Sequence, residues 1–213
     1  LSLLILTASR FEAEALTERM DRDPAPLPTG VGPIKAALGS AEILAAREGL
    51  TACLLIGLAG SRDPERAPVG SVVLGNEIVD EAVGAGHGEH FIPLADFGLP
   101  AADGTPTRLP LAVPRPGAEP DPPWIVGAIG TVAAASGDPD EAAAWHARNP
   151  DVLAEEMEGF AVAVACRRAN VPLGILRGVC NVAGDRDHGG WQFEAALDAV
   201  ARATPILLDA LRR

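Results

Sequence analysis

Cysteine is scarce in these 213 residues: there are three, at positions 53, 166 and 180, each inside an apolar run and none in a CxxC pair. This excludes a disulfide framework and fits buried, reduced thiols in a cytoplasm. Basic residues are also few, 17 against 29 acidic ones, for a net charge of −12. A chain so charged is a poor partner for nucleic-acid phosphates. No apolar run approaches about 18 residues free of Gly, Pro and charge, so no membrane span is expected. The opening run, residues 1–6, has no basic residue before it and leads straight into the charged stretch 10–14. It reads as a first core strand, not a secretory signal. Known catalytic signatures are missing too: there is no GxSxG elbow and no Walker loop. His87, His90, His146 and His188 are scattered, with no Cys or His constellation around them, so no metal is expected.

What is present is a core. Hydrophobic residues make up 48% of the chain, too many for disorder. A single domain over 1–213 of this size buries roughly 70% of its unfolded surface and needs no staple. Apolar runs of strand length at 3–7, 51–56, 70–79, 124–133, 152–156 and 173–180 alternate with helical spacing at 11–19, 34–48, 138–148, 159–169 and 191–211. In the second helix Ile34, Leu38, Ala41 and Ala45 fall on one face. This order predicts an α/β layered fold with a mixed, largely parallel central sheet and a ligand site at the carboxyl ends of its strands. Residues 82–123 interrupt the pattern with Gly, Pro and isolated hydrophobics such as Phe91 and Phe97. So long an irregular stretch usually has a functional reason, here covering a site.

Several segments could carry chemistry. Thr29-Gly30-Val31-Gly32-Pro33 has two glycines of a dinucleotide fingerprint, but Lys35 stands at the third and no clear strand precedes it, so a plain tight turn is favoured. Gly57-Leu58-Ala59-Gly60-Ser61 follows a buried strand and leaves backbone bare for a flat ligand, or is a tight exit turn. Glu155-Glu156-Met157-Glu158 lies where a strand passes into a helix. Its carboxylates suit the vicinal hydroxyls of a ribose and its thioether an apolar gap, or the acids merely favour a helix N-terminus. Asp185 and Asp187 flank Arg186 after the last strand, where an ion-pair turn is favoured over a metal.

Taken in order, these segments resemble the purine nucleoside hydrolase and phosphorylase superfamily, in its nucleosidase branch of methylthioadenosine/adenosylhomocysteine nucleosidases and futalosine hydrolases. Residues 7–14 resemble the family's first strand and catalytic-glutamate turn, 29–38 its Gly-x-Gly helix start, 57–60 its Gly-x-Ala-Gly loop, and Glu156-Met157-Glu158-Gly159 its ribose-binding Glu-Met-Glu; Ser136-Gly137-Asp138 and 177–181 match as well. The resemblance implies a three-layer α/β/α phosphorylase/hydrolase-like domain, a small-molecule nucleoside substrate, no cofactor, and a homodimer or higher homo-oligomer. It implies that Glu14 positions and deprotonates the attacking water, that Glu156, Met157 and Glu158 hold the ribose, that Asn181 handles the leaving base, and that the backbone of Gly57, Ala59 and Gly60 flanks base and sugar.

The departures from the adenine-directed members are Leu58 for Ser, Asn181 for Asp, and a shortened segment 138–145 without the base-stacking Phe. They fit the futalosine-type members better, as do His90-Phe91-Ile92-Pro93-Leu94, residues 180–187 and Trp191, with Phe91 placed at the substrate. Two other readings share the scaffold: a phosphorylase, for which Arg62 is the best phosphate-binding group, and a non-catalytic nucleoside sensor.

Overall fold

Residues 3–7 form the first strand, as their unbroken apolar run requires, and the chain then alternates. In order it runs β1 (Ser2–Thr7), α1 (Arg10–Met20), β2 (Leu27–Pro28), α2 (Pro33–Ala45), β3 (Leu50–Ser61), β4 (Val72–Asp80), β5 (Gly84–Ala85), β6 (Ile92–Pro93), β7 (Arg108–Pro110), β8 (Ile125–Thr131), α3 (Pro139–Arg148), β9 (Val152–Glu156), α4 (Gly159–Arg168), β10 (Leu173–Val182) and α5 (Phe193–Leu211). The computed structural model describes residues 2–20, 25–86, 88–98, 104–113 and 122–211. Among these, no helix is long and apolar enough to cross a membrane.

The sheet is mixed. Its strand order is β10-β4-β8-β9-β3-β1-β2, with β7 on β4. Pairs β1–β2, β1–β3, β3–β10, β4–β8 and β8–β9 are parallel, whereas β4–β10, β3–β9 and β4–β7 are antiparallel. Because β10 also pairs with β3, the strands β3, β10, β4, β8 and β9 close into a ring. Successive residues point to opposite faces of a strand, and the core divides accordingly. Leu55 and Ile175 pack with Ala36, Val162 and Cys166 of α2 and α4, while Leu54, Ile56 and Leu176 pack with Leu16 of α1 and Leu197, Val200 and Leu207 of α5. These are the three layers α/β/α.

Three local expectations are corrected. Residues 57–61 are no exit turn but the last five residues of β3, hydrogen-bonded to β10 and β9 (Arg177 opposite Gly57, Glu155 opposite Gly60), and Asn181 lies on β10, not after it. Ring closure supplies both partners. Of the described part of 82–123, Arg108–Pro110 pair with the carboxyl half of β4, Phe91 packs on Trp145 of α3 and Ala112 hydrogen-bonds to Leu173 of β10, and none of it lines the cavity described below.

The second helix presents the opposite face to the sheet. Ala36, Ser40 and Leu44 are buried, and Ile34 and Leu38 are 77% and 63% exposed. Small residues win because α2 sits tight on the turn before it: a Cβ on Gly39 would overlap the Thr29 carbonyl, and the Ser40 hydroxyl folds back onto the Ala36 carbonyl. Gly39→Ala is therefore expected to destabilise the protein by about 1–3 kcal/mol, as overpacking does. A thermal melt of the variant beside the wild type, read by circular dichroism, checks this.

Candidate functional site

The first helix begins with a capping box. The Ser9 hydroxyl accepts from the Glu12 N–H at 3.2 Å, and the Glu12 carboxylate reaches back to accept from the Ser9 N–H at 2.9 Å and its hydroxyl at 2.7 Å. The other Glu12 oxygen accepts from the Leu58 N–H at 3.0 Å, across from the end of β3. Glu12 is thus buried and fixed at both oxygens, and it lines a cavity of about 210 Å³. Glu14, the residue assigned to water activation from the sequence, is exposed and lines no part of this cavity. Two residues along a helix of 3.6 residues per turn is a rotation of about 200°, so Glu12 and Glu14 cannot share a face. The Ser9-x-x-Glu12 spacing is the signal that picks out Glu12.

Beside Glu12 the cavity is walled by Leu58, Ala59 and Gly60 of β3, Glu155 and Glu156 at the end of β9, Met157 and Glu158 after it, and Cys180 and Asn181 of β10. Val31 from the turn before α2 and Val132 and Ala135 after β8 add apolar wall, and Arg186, Trp191 and Phe193 follow from the loop into α5. The site therefore lies at the carboxyl ends of the parallel strands, as the α/β order predicted. Met157, Glu158, Asn181, Ala59 and Gly60 come together as expected. Gly57 does not line the cavity; it stands behind Glu12, where a Cβ would overlap the Glu12 carboxylate and come within 2.6 Å of Arg177 Nη1. Phe91 lies elsewhere, its ring 4.7 Å from that of Trp145 and its side chain lining a separate cavity with Arg108 and Arg148.

Arg177, on β10, has no exposed surface, and it organises the acidic groups. Its Nη2 pairs with Glu156 and lies 3.7 Å from Glu158. Burial alone would lower its pKa, but Glu156, Glu158 and Glu12 outweigh burial and hold it above the ordinary arginine value. Nε and Nη1 have no hydrogen-bond partner among the described residues. Glu156, expected to hold ribose, is instead saturated by protein. It accepts from the Glu158 N–H at 3.0 Å, the Gly159 N–H at 2.7 Å, the Thr131 hydroxyl and Arg177. It fixes the start of α4 and the arginine.

Glu158 accepts from the Gly32 N–H at 2.8 Å, which makes the Gly30–Gly32 segment a turn anchored to the site. Burial and then the Glu156 carboxylate push Glu158 up to about 7, against the opposing pull of Arg177. The Asn181 amide is partly engaged, its oxygen accepting from the Cys180 thiol at 3.2 Å and its nitrogen donating to the Val182 carbonyl at 2.8 Å. One lone pair and one N–H remain. The Cys180 thiol is pushed up to about 11, chiefly by burial.

Arg62, the candidate phosphate ligand, is closed off. Its side chain is fully buried, with Nη1 2.6 Å from Glu81 and Nε 3.1 Å from Glu155. Glu155 in turn accepts from the Ser136 N–H at 2.9 Å and hydroxyl at 2.7 Å, which holds the loop carrying Val132 and Ala135. Asp185 and Asp187 accept from backbone N–H groups of their own turn, at 2.9 and 3.2 Å. Neither carboxylate pairs with Arg186, whose Nε donates to the Asp185 carbonyl.

A raised carboxylic pKa weakens the folded state as pH rises. Glu158 keeps its proton in the native state above the pH at which it loses it when unfolded, so its penalty grows from about pH 4.5 to about 7 and then levels off. Glu158→Gln keeps an acceptor for Gly32 and removes the charge. Its melting temperature relative to wild type is expected to rise from pH 5 to 7.5 and to stay constant above; a difference independent of pH would remove the shift.

A model of the phosphorylase superfamily matches residues 24–213. The chain is 37% identical over 195 residues to a futalosine hydrolase of Streptomyces coelicolor, covering 85% of this chain and 78% of the relative. It is 37% identical over 187 residues to a futalosine hydrolase of Thermus thermophilus, covering 85% and 80%. The fold superposes on the native structure of futalosine hydrolase of Helicobacter pylori with a TM-score of 0.79 at 16% identity, over 98% of this chain and 97% of that one.

Proposed function

We propose that this chain, which belongs to the phosphorylase superfamily, hydrolyses the N-glycosidic bond of futalosine and releases hypoxanthine, as a cytoplasmic step toward menaquinone. The observation that carries the reading is Glu12: a buried carboxylate, fixed at both oxygens, in one cavity with Glu158, Met157 and Asn181. Departure of the base leaves an oxocarbenium-like sugar, which the surrounding carboxylates stabilise and which water attacks. Glu12 takes the proton of that water. Arg177 Nη1 lies on the same side of Gly57 as the Glu12 oxygen and orients the carboxylate by its charge. Glu158 and Met157 hold the ribose.

Asn181 decides which base leaves. A purine protonated at N7 offers N7–H, and hypoxanthine adds the O6 acceptor, whereas adenine adds a second donor. The free lone pair and N–H of the Asn181 amide match the first pattern; two donors call for a carboxylate. Water, not phosphate, is the nucleophile, because Arg62 is held by Glu81 and Glu155.

The protein acts as a homo-oligomer. Ile34 and Leu38 leave an exposed apolar patch on the outer side of α2, of the kind that a second copy covers. Light scattering at micromolar concentration is expected to return at least twice the mass of one chain, and a mass near 21.9 kDa refutes the assembly.

In phosphate-free buffer the wild type is expected to release hypoxanthine from futalosine with a higher kcat/KM than it shows for adenine release from methylthioadenosine. Loss of a general base typically costs about 10²–10⁴-fold, so Glu12→Gln should lower kcat by that order with the melting temperature kept. Glu14→Gln should stay within about twofold of wild type, as exposed positions away from a site do. A Glu12→Gln enzyme of near-normal kcat removes Glu12 from the mechanism.

A further inference from the structure

Arg62 is fully buried and has no part in the reaction above. A buried ion group of this kind is weak evidence for stability, because apolar residues of similar volume often serve as well. Its partners show what it restrains. Nη1 donates to Glu81 at 2.6 Å, the other Glu81 oxygen accepts from the Asn149 amide at 2.7 Å, and the guanidinium carbon lies 5.4 Å from the centre of the Trp145 ring. These contacts fix the guanidinium to the chain just past β4 and to the end of α3. Nε is left to donate to Glu155 at 3.1 Å, and that carboxylate accepts from Ser136 twice, from its N–H at 2.9 Å and its hydroxyl at 2.7 Å.

The Ser136 loop is the piece of cavity wall at the end of this chain of bonds. Val132, just past β8, is pinned by its N–H to the Glu156 carbonyl at 2.8 Å. The backbone then passes through exposed Ala133 and Ala134 to Ala135, which lines the cavity, and to Ser136, which is fully buried. Where Ala135 stands is therefore set by the bonds from Ser136 to Glu155. Sheet register shows what this wall faces. Gly60 of β3 has Asn181 of β10 as its partner on one side and Glu155 of β9 on the other. Residues in register present their side chains to one face of a sheet, and all three line the cavity. A Cβ at position 60 would meet Asn181 Nδ2 at 3.5 Å. The glycine thus leaves a bare floor between Asn181 and Glu155, whose backbones stand about 10 Å apart, two strand spacings.

We propose that Arg62 is a positioning residue for base selection: through Glu155 and Ser136 it sets the wall opposite Asn181 of a slot over Gly60, and so the size of the purine that enters. The inference rests on the nucleosidase reading above, in which Asn181 takes the N7 and O6 edge of the base. The edge turned toward Ala135 is then the opposite one, at C2 of the six-membered ring. A 6-oxopurine with hydrogen at C2 fits the slot, and one with a larger group there drives Ala135 outward. The wall resists because Ser136 is tied twice to a carboxylate that Arg62 holds to the frame.

The test measures kcat and KM for futalosine, and Kd by calorimetry for two free bases, hypoxanthine and 2-methylhypoxanthine. The proteins are the wild type, Arg62→Ala, Arg62→Lys and Ser136→Ala. The wild type is expected to bind hypoxanthine more tightly than its 2-methyl derivative by about tenfold or more, the usual worth of one methyl group against a fixed wall. Arg62→Ala and Ser136→Ala should bring that ratio toward one and raise KM more than they lower kcat. Arg62→Lys should recover part of the ratio, since the charge remains and the fork that spans Glu81 and Glu155 is lost. If Arg62→Ala fails to fold, Ser136→Ala, which leaves both ion pairs in place, decides. A ratio unchanged in Ser136→Ala and Arg62→Lys, whatever their melting temperatures, would make the network a structural support only and overturn the proposal. A wild type that binds both bases equally overturns it as well. A wild type that neither hydrolyses futalosine nor binds either base defeats the nucleosidase reading, and the slot with it.

Discussion

A buried arginine holds this structure's site together. Arg177 lies on an interior strand with no access to water, and a lone guanidinium there would cost far more than a fold of this size can spare. It is tolerated because Glu156, Glu158 and Glu12 converge on it from the end of β9, the start of α4 and the first turn of α1. Those acids need the arginine as much as it needs them, since carboxylates in close array raise one another's pKa, as Glu158 shows. The geometry of the cavity is the geometry of that compromise.

Ring closure of the sheet makes the convergence possible. Pairing β10 with β3 places Arg177 opposite Gly57, and the missing side chain at 57 is what lets the guanidinium and the Glu12 carboxylate approach from one side. The antiparallel turn of β9 against β3 then brings Glu155 level with Gly60, so that acids of one strand end face the bare backbone of another. Glu12 joins them through two contacts of different origin, a local one to Ser9 and a long-range one to the Leu58 N–H.

A second buried arginine shows how the same chemistry can be turned to a different end. Arg62 is as enclosed as Arg177, yet its partners Glu81 and Glu155 bind it to the frame, and Glu155 passes the restraint on to the loop at Ser136. Arg186 is the opposite case, exposed beside Trp191 and with no carboxylate partner among the described residues. Three arginines in and around one cavity thus orient acids, brace a loop and form part of the cavity wall, and their surroundings set which does what.

The sequence by itself determined the alternation of strands and helices and their layering, through hydrophobic period and residue order, which are local or nearly so, whereas the gathering of Met157, Glu158, Asn181, Ala59 and Gly60 at the strand ends was legible in it only through the family resemblance. It also carried the Ser9-x-x-Glu12 box, a local signal for the buried glutamate that family likeness placed two positions too far along, at Glu14. Tertiary structure alone decided the rest. Closure of the sheet turned residues 57–61 from a loop into a strand, and close packing on Thr29 turned the small residues of α2 inward and Ile34 outward. Glu156, Arg62 and Phe91 were chemically eligible for substrate, but each found a partner far along the chain: Arg177, the pair Glu81 and Glu155, and Trp145. Whether a polar or aromatic group is free to bind depends on what long-range packing puts beside it, and no window of sequence contains that neighbour.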